Sequence, residues 1–137
     1  MSADTAAIEG QVLDAARALV EAFGAHDTDA YFASFSPEAT FVFYTHDDPL
    51  RSRDAYRELW SSWERDGFRV LSCASSDQHV QVLSDDVAVF THDVHTVVRT
   101  GGEEEAVDER ETIVFRRTSE GGWSAVHEHL SPAAPPT

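Results

Sequence analysis

Arg110-Glu-Thr-Ile-Val-Phe-Arg-Arg117, then Ser119-Glu-Gly-Gly122, then Trp123-Ser-Ala-Val-His127-Glu128-His129-Leu-Ser131 is the stretch whose reading decides the fold. Two runs rich in β-branched and aromatic residues flank a Gly-Gly turn signal, and Pro132 stops the second, so the pair reads as an antiparallel hairpin. Side chains alternate along a strand. That sends His127 and His129 to one face and Glu128 to the other, while Arg110 and Thr112 share a face of the strand before. The turn accommodates a two-residue or a four-residue connection, so which residues stand opposite one another is open.

Upstream the pattern repeats. Phe68 to Leu83, Val87 to Arg99 and Val107 to Thr118 read as strands, separated by Ser84-Asp85-Asp86 and Thr100-Gly101-Gly102. Long consecutive hairpin strands make a curled meander. In Val87 to Arg99, Val87, Val89 and Val97 share one face and Ala88, Phe90, Val94 and Val98 the other, so both sides of that strand need cover.

The first half of the chain has helical periodicity instead. Ile8, Val12, Ala15, Ala16, Leu19, Val20 and Phe23 recur at three and four between Asp4, a cap, and Gly24, a stop. Thr28 to Phe35, with Tyr31, Phe32 and Phe35, predicts a second short helix. Ala39 to Tyr44 predicts a strand covered on both faces, and Thr45 to Pro49 a loop. Ser52 caps a third helix, Arg53 to Asp66, with Tyr56, Leu59, Trp60 and Trp63 on one face and Gly67 after it. Three amphipathic helices ahead of a strongly bent antiparallel or mixed sheet make an α+β fold shaped as a cone, whose hollow is the natural ligand site.

Composition narrows the partners. The chain has 137 residues, 42% of them hydrophobic, and no apolar run long enough to span a bilayer, so it reads as a globular protein with no membrane partner. Its N-terminal residues have no basic or apolar leader, which makes the cytoplasm the expected location. A formal charge of -15 repels phosphate backbones and argues against nucleic acid. Glu103-Glu104-Glu105 and Asp108-Glu109 read as a solvated hairpin tip and its flanks, without chemistry. Cys73, the one cysteine, reads as a small buried side chain, and His26, His46 and His79 as loop or surface residues. Asp47 and Asp48 are turn residues beside Pro49.

Three stretches carry a family resemblance: Ala25-His-Asp-Thr-Asp-Ala-Tyr-Phe-Ala-Ser-Phe-Ser-Pro-Glu-Ala-Thr-Phe, then Arg51-Ser-Arg-Asp-Ala-Tyr-Arg-Glu-Leu, then the closing hairpin with its R-x-T and W-x-x-V-H-x-H-x-S strands. They resemble the nuclear transport factor 2-like superfamily, in its SnoaL-like and ketosteroid isomerase-like branch. The chain's length and the resemblance imply a single domain over residues 1–131, and the prolines after it, with too little to pack, predict a disordered tail over 132–137. The resemblance also implies a homodimer through the outer sheet face, and a small apolar ligand, polyketide-like or aromatic. Two landmarks of ketosteroid isomerase are missing, because its general base falls at Phe43 and its enolate-binding tyrosine at Leu19.

Alternation and the resemblance together point His127 and His129 into the cavity, beside Arg110 and Thr112. His127 or His129 then carries a proton and Arg110 holds an anionic oxygen, in isomerase, cyclase or hydratase chemistry that needs no cofactor. Tyr44, Trp60, Trp63, Phe43, His95 and Thr112 are expected to line the pocket. A non-catalytic binding or accessory protein with the same cavity is the alternative, and an interaction domain with a filled cavity is another. His92 and His95, three apart, fall on opposite faces of their strand. A metal enzyme is a further alternative if the inward one of them joins His127 and His129, with Asp93 or Glu128 as an additional ligand.

Overall fold

A computed structural model describes residues 4–133. In order, the elements are α1 (Thr5–Gly24), α2 (Thr28–Ala33), β1 (Phe35–Phe43), α3 (Arg53–Arg65), β2 (Arg69–Ser84), β3 (Val87–Thr100), β4 (Glu103–Arg117) and β5 (Trp123–Pro132). The sheet runs β1-β5-β4-β3-β2. Its four later strands are antiparallel neighbours, and β1 joins the edge parallel to β5, so the sheet is mixed.

Each helix starts where a short polar side chain satisfies a free backbone N–H. Asp4, Asp27 and Ser52 accept from Ala6, Ala30 and Ala55 respectively. Ile8, Val12, Ala16 and Leu19 form the buried face of α1, and Tyr56 and Trp60 that of α3. Gly24 differs from its expected role as a stop. The left-handed residue after α1 is His26, at φ 53°. Gly24 instead lets α1 cross β2 closely, since a Cβ there would lie 3.2 Å from the Cys73 nitrogen.

Four boundaries differ from the sequence expectation by two residues or more. The second helix stops at Ala33, and Phe35 begins β1, its ring packed edge-on against Phe41. Pro37 is tolerated inside β1 because β1 is an edge strand. β4 begins at Glu103 rather than Val107, because Gly101 and Gly102, both at positive φ, make a two-residue turn that lets Thr100 face Glu103. Arg99 reaches Glu104 at 3.2 Å across that pair. At the other end β5 continues through Pro132, and the Ala133 N–H donates to the Asp108 carbonyl, so the tail does not begin at 132; residues 134–137 lie outside the described residues.

Strand bulges curl the sheet. β2 shifts register against β3 at three places, one of them at Asp77, which has φ 55°. β5 shifts once: Phe115 pairs with Ala125, but Val114 pairs with His127, leaving Val126 as an extra residue. Beneath the curl an aromatic cluster of Tyr31, Phe32, Phe35, Phe41, Tyr56 and Trp60 closes the narrow end of the cone. No described helix is long and apolar enough to cross a membrane.

Candidate functional site

The bulge at Val126 decides which side chains the cone receives. Trp123 and Ala125 alternate regularly, and without an extra residue His127 and His129 would follow them inward. One unpaired residue reverses the parity. Glu128 is therefore buried at 2% exposure and lines the cavity with Leu130, whereas His127 and His129 point to the outer face. The expectation that the two histidines face the cavity does not hold.

The registers left open by the sequence are now fixed. Thr112 pairs with His129, and Val114 with His127. Arg110, Thr112, His129 and Ser131 do come together, in a recess of about 310 Å³ on the outer face that also has Asp93. His127 Nδ1 lies 2.8 Å from Thr40 Oγ1, and burial, aided by the charge of His129, holds its pKa below the ordinary value. His95 is exposed there too, paired with Asp108 at 2.7 Å. Of the residues expected on the cavity wall, Phe43, Tyr44, Trp60 and Trp63 line it; His95 and Thr112 do not.

The cavity inside the cone has a volume of about 550 Å³. It is open, so the filled interior of a pure interaction domain is absent. Leu19, Val20 and Phe23 from α1, Trp60 and Trp63 from α3, and Val94, Val98 and Val107 from the sheet supply apolar wall. Phe43 and Leu19 stand in this wall where the isomerase landmarks are missing.

Against the apolar wall stands a group of carboxyls that sequence reasoning passed over. The inward row of β4 is Glu105, Val107, Glu109 and Glu111, and β5 adds Glu128. Glu109, read from the sequence as part of a solvated run, is 8% exposed and accepts a 2.6 Å bond from the Tyr44 hydroxyl. Burial raises its pKa, against the pull of that bond. A run of acids looks solvated when its charge is counted along the chain. Alternation against Val107 was the signal that one side of the run turns inward.

Glu111 and Glu128 form the innermost pair. Burial and the neighbouring Glu111 carboxylate raise the Glu128 pKa well above the carboxylate range. Burial pushes Glu111 upward as well, but hydrogen bonds from Glu128 and His92 and the charge of His92 outweigh it and hold the pKa below its ordinary value. One proton is thus shared unequally: Glu128 is the acid and Glu111 the carboxylate. The Glu128 Oε2 atom is buried and meets no donor, an arrangement a neutral acid tolerates far better than an anion.

His92 secures Glu111 from behind. Its side chain is fully buried, with Nε2 2.7 Å from Glu111 Oε1 and Nδ1 2.6 Å from Ser75 Oγ. Gln78 Nε2 donates to Ser75 Oγ at 2.9 Å, so His92 is held at both ring nitrogens, by Ser75 on one side and by Glu111, to which Nε2 donates, on the other. His26, expected at the surface, is also structural. It accepts from the Val70 N–H at 2.9 Å, meets Glu64 at 2.8 Å and stacks on Trp60. Tyr31 and Tyr56 join their hydroxyls at 2.9 Å behind the acid pair, and burial raises both pKa values.

His92 faces inward and His95 outward, opposite faces as their spacing requires. His92 is bonded to Ser75 and Glu111 and His127 lies against Thr40, so these imidazoles are engaged by different partners. Among the described residues no three His, Cys, Asp or Glu side chains are grouped to hold a metal ion.

A curved five-stranded sheet wrapped by helices around an open cavity defines the nuclear transport factor 2-like class, and solved structures share it. A ketosteroid isomerase-like protein from Erwinia carotovora atroseptica SCRI1043 superposes with a TM-score of 0.81 at 18% identity, covering 92% of this chain and 96% of that one. A putative scytalone dehydratase from Novosphingobium aromaticivorans DSM 12444 gives 0.80 at 14% identity, covering 93% and 85%. An NTF2-like protein of unknown function in nutrient uptake, from Rhodospirillum rubrum ATCC 11170, gives 0.77 at 21%, covering 90% and 98%. At such identities the likeness is one of fold. Within that class the chain belongs to the SnoaL-like family, whose domain model matches residues 12–135. No curated protein matches it.

Proposed function

We propose that the protein takes a ring-containing, mostly apolar small molecule into the cone and moves a proton on it, in the manner of an isomerase, cyclase or dehydratase. The observation that carries the reading is the innermost pair: two adjacent buried carboxyls on the wall of an apolar cavity, one backed by His92 and the other without a donor at Oε2, whose surroundings push their pKa values apart. Paired groups whose environments push their pKa values apart supply an acid and a base at one pH. Glu128 donates to a carbonyl oxygen while Glu111 takes the proton from the carbon beside it, leaving an enol. Reversal at another carbon isomerises the molecule. His92 holds Glu111 in place and touches no substrate.

Hydrogen–deuterium exchange in D2O, followed by NMR, tests the chemistry with a panel of bicyclic and tricyclic aromatic ketones such as 1-tetralone. Trp60 and Trp63 line the cavity and report binding by their fluorescence. Exchange at the α-carbon is accelerated by the wild type and falls by about 10²-fold or more in Glu111→Gln. The absence of the isomerase base at Phe43 favours a second reading, a binding protein. Ketones that quench the tryptophans without any accelerated exchange would establish that reading and end the first. The protein is further read as a cytoplasmic homodimer joined through the outer sheet face, where Val87, Val89, Val97 and Val114 are half-buried. Sedimentation at monomer mass would remove the homodimer.

A further inference from the structure

The cavity wall is lopsided in charge. Among the described residues five carboxyls face the space, from Asp66, Glu105, Glu109, Glu111 and Glu128, and no arginine, lysine or histidine does. The chain has ten arginines and no lysine, yet none of these arginines meets a cavity carboxyl. Arg110, the cation expected beside the ligand, is on the outer face. Successive inward residues of a strand lie about 6.7 Å apart, so Glu105, Glu109 and Glu111 form a descending row from the rim toward Glu128. At the inner end Glu128 Oε2 is buried without a donor.

The ionised carboxylates of this wall attract a cation and repel an anion, strongly enough to govern which ligands enter, and neutral Glu128 offers its unpartnered Oε2 as an acceptor at the inner end. The aromatic faces of Trp63 and Phe68, which line the same space, add attraction for a cation. We infer that the natural ligand carries a protonated amine on an apolar, ring-containing body and no anionic group. The inference rests on the reading that the cone is the ligand site. It excludes carboxylates, phosphate esters and coenzyme A thioesters as ligands.

Three probes of one shape separate the possibilities: 2-naphthylmethylamine, 2-naphthylmethanol and 2-naphthoate, titrated into the intact protein with tryptophan fluorescence and calorimetry as readouts. The amine binds at least about tenfold more tightly than the alcohol, and the naphthoate at least about tenfold more weakly. The paired change Glu105→Gln with Glu109→Gln narrows the amine-to-alcohol ratio. Glu103→Gln, the same charge change at an exposed residue outside the cavity, leaves it unaltered. Equal binding of all three probes, or a preference for naphthoate, overturns the charge inference and leaves the cone as the ligand site. A preference that the paired change does not reduce also overturns it, since the bulk charge of the protein would then be the cause. Binding of no probe overturns both the inference and the reading beneath it.

Discussion

Replacing Glu128 with Gln exchanges a neutral acid for a neutral amide of the same shape, and the amide N–H2 still donates to Glu111. The consequence is a change in how stability depends on pH. Folded Glu128 keeps its proton well above the ordinary range because burial and the Glu111 carboxylate oppose its ionisation. In the unfolded chain it is an ordinary glutamic acid that titrates at about 4.3. Below that value both states hold the proton and nothing is lost. Above it only the unfolded chain releases the proton, so wild-type stability falls by about 1.4 kcal/mol per pH unit until the folded group titrates as well. Glu128→Gln has no such proton, so its advantage grows at that slope. Glu109, also raised, contributes equally to both proteins and cancels. Urea titrations followed by tryptophan emission at about pH 5 and about pH 6 measure the difference. With a slope of about 1–3 kcal/mol per M of urea, the gap between midpoints widens by roughly 0.5–1.4 M. A constant gap would show that folded Glu128 is ionised across this range, and the acid–base assignment would fall with it.

Glu111 gives the opposite sign. Its depressed pKa contributes stability above the unfolded value that is lost as pH falls through the folded one. Glu111→Gln is therefore less stable than the wild type by about 1.5–3 kcal/mol at neutral pH, and the deficit closes on acidification below about pH 4; chemical denaturation at the two pH values reads it. Tyr31→Phe and Tyr56→Phe each strand a buried hydroxyl, so each costs about 1 kcal/mol, and the double variant costs less than the sum in a thermodynamic cycle. Burial pushes the Cys73 thiol up to about 11. At about pH 8 its reaction with a disulfide reagent is roughly 10²-fold slower in the folded protein than in urea, and equal rates would contradict its placement under α1.

The helices were legible because their evidence is local. Asp4 and Ser52 cap the elements expected of them, and the buried residues of α1 and α3 are those whose spacing marked them. Gly101-Gly102 was legible as a turn, although the acids after it were not legible as strand, since pairing with Arg99 and Thr100 places them there. The wall residues Phe43, Tyr44, Trp60 and Trp63 could be named because apolar aromatics beside a helix face have few other places to go. Glu109, Glu111 and Glu128 could not. A buried carboxyl looks like any solvated one until its neighbours are known, and the neighbours here come from the turn after β1 and from β3, β4 and β5.

The sequence by itself determined the order of the elements, the bent sheet with its helical cover and the likeness to the SnoaL-like family, all set by patterns within short windows. It also determined that His127 and His129 lie on one face and Glu128 on the other. Which of those faces meets the cavity was decided only in the tertiary structure. The choice is a parity counted from Trp123, and one residue, Val126, left unpaired against the Phe115–Val114 step of β4, reverses it. A bulge of this kind belongs to two strands at once, and a reading along one strand gives no sign of it.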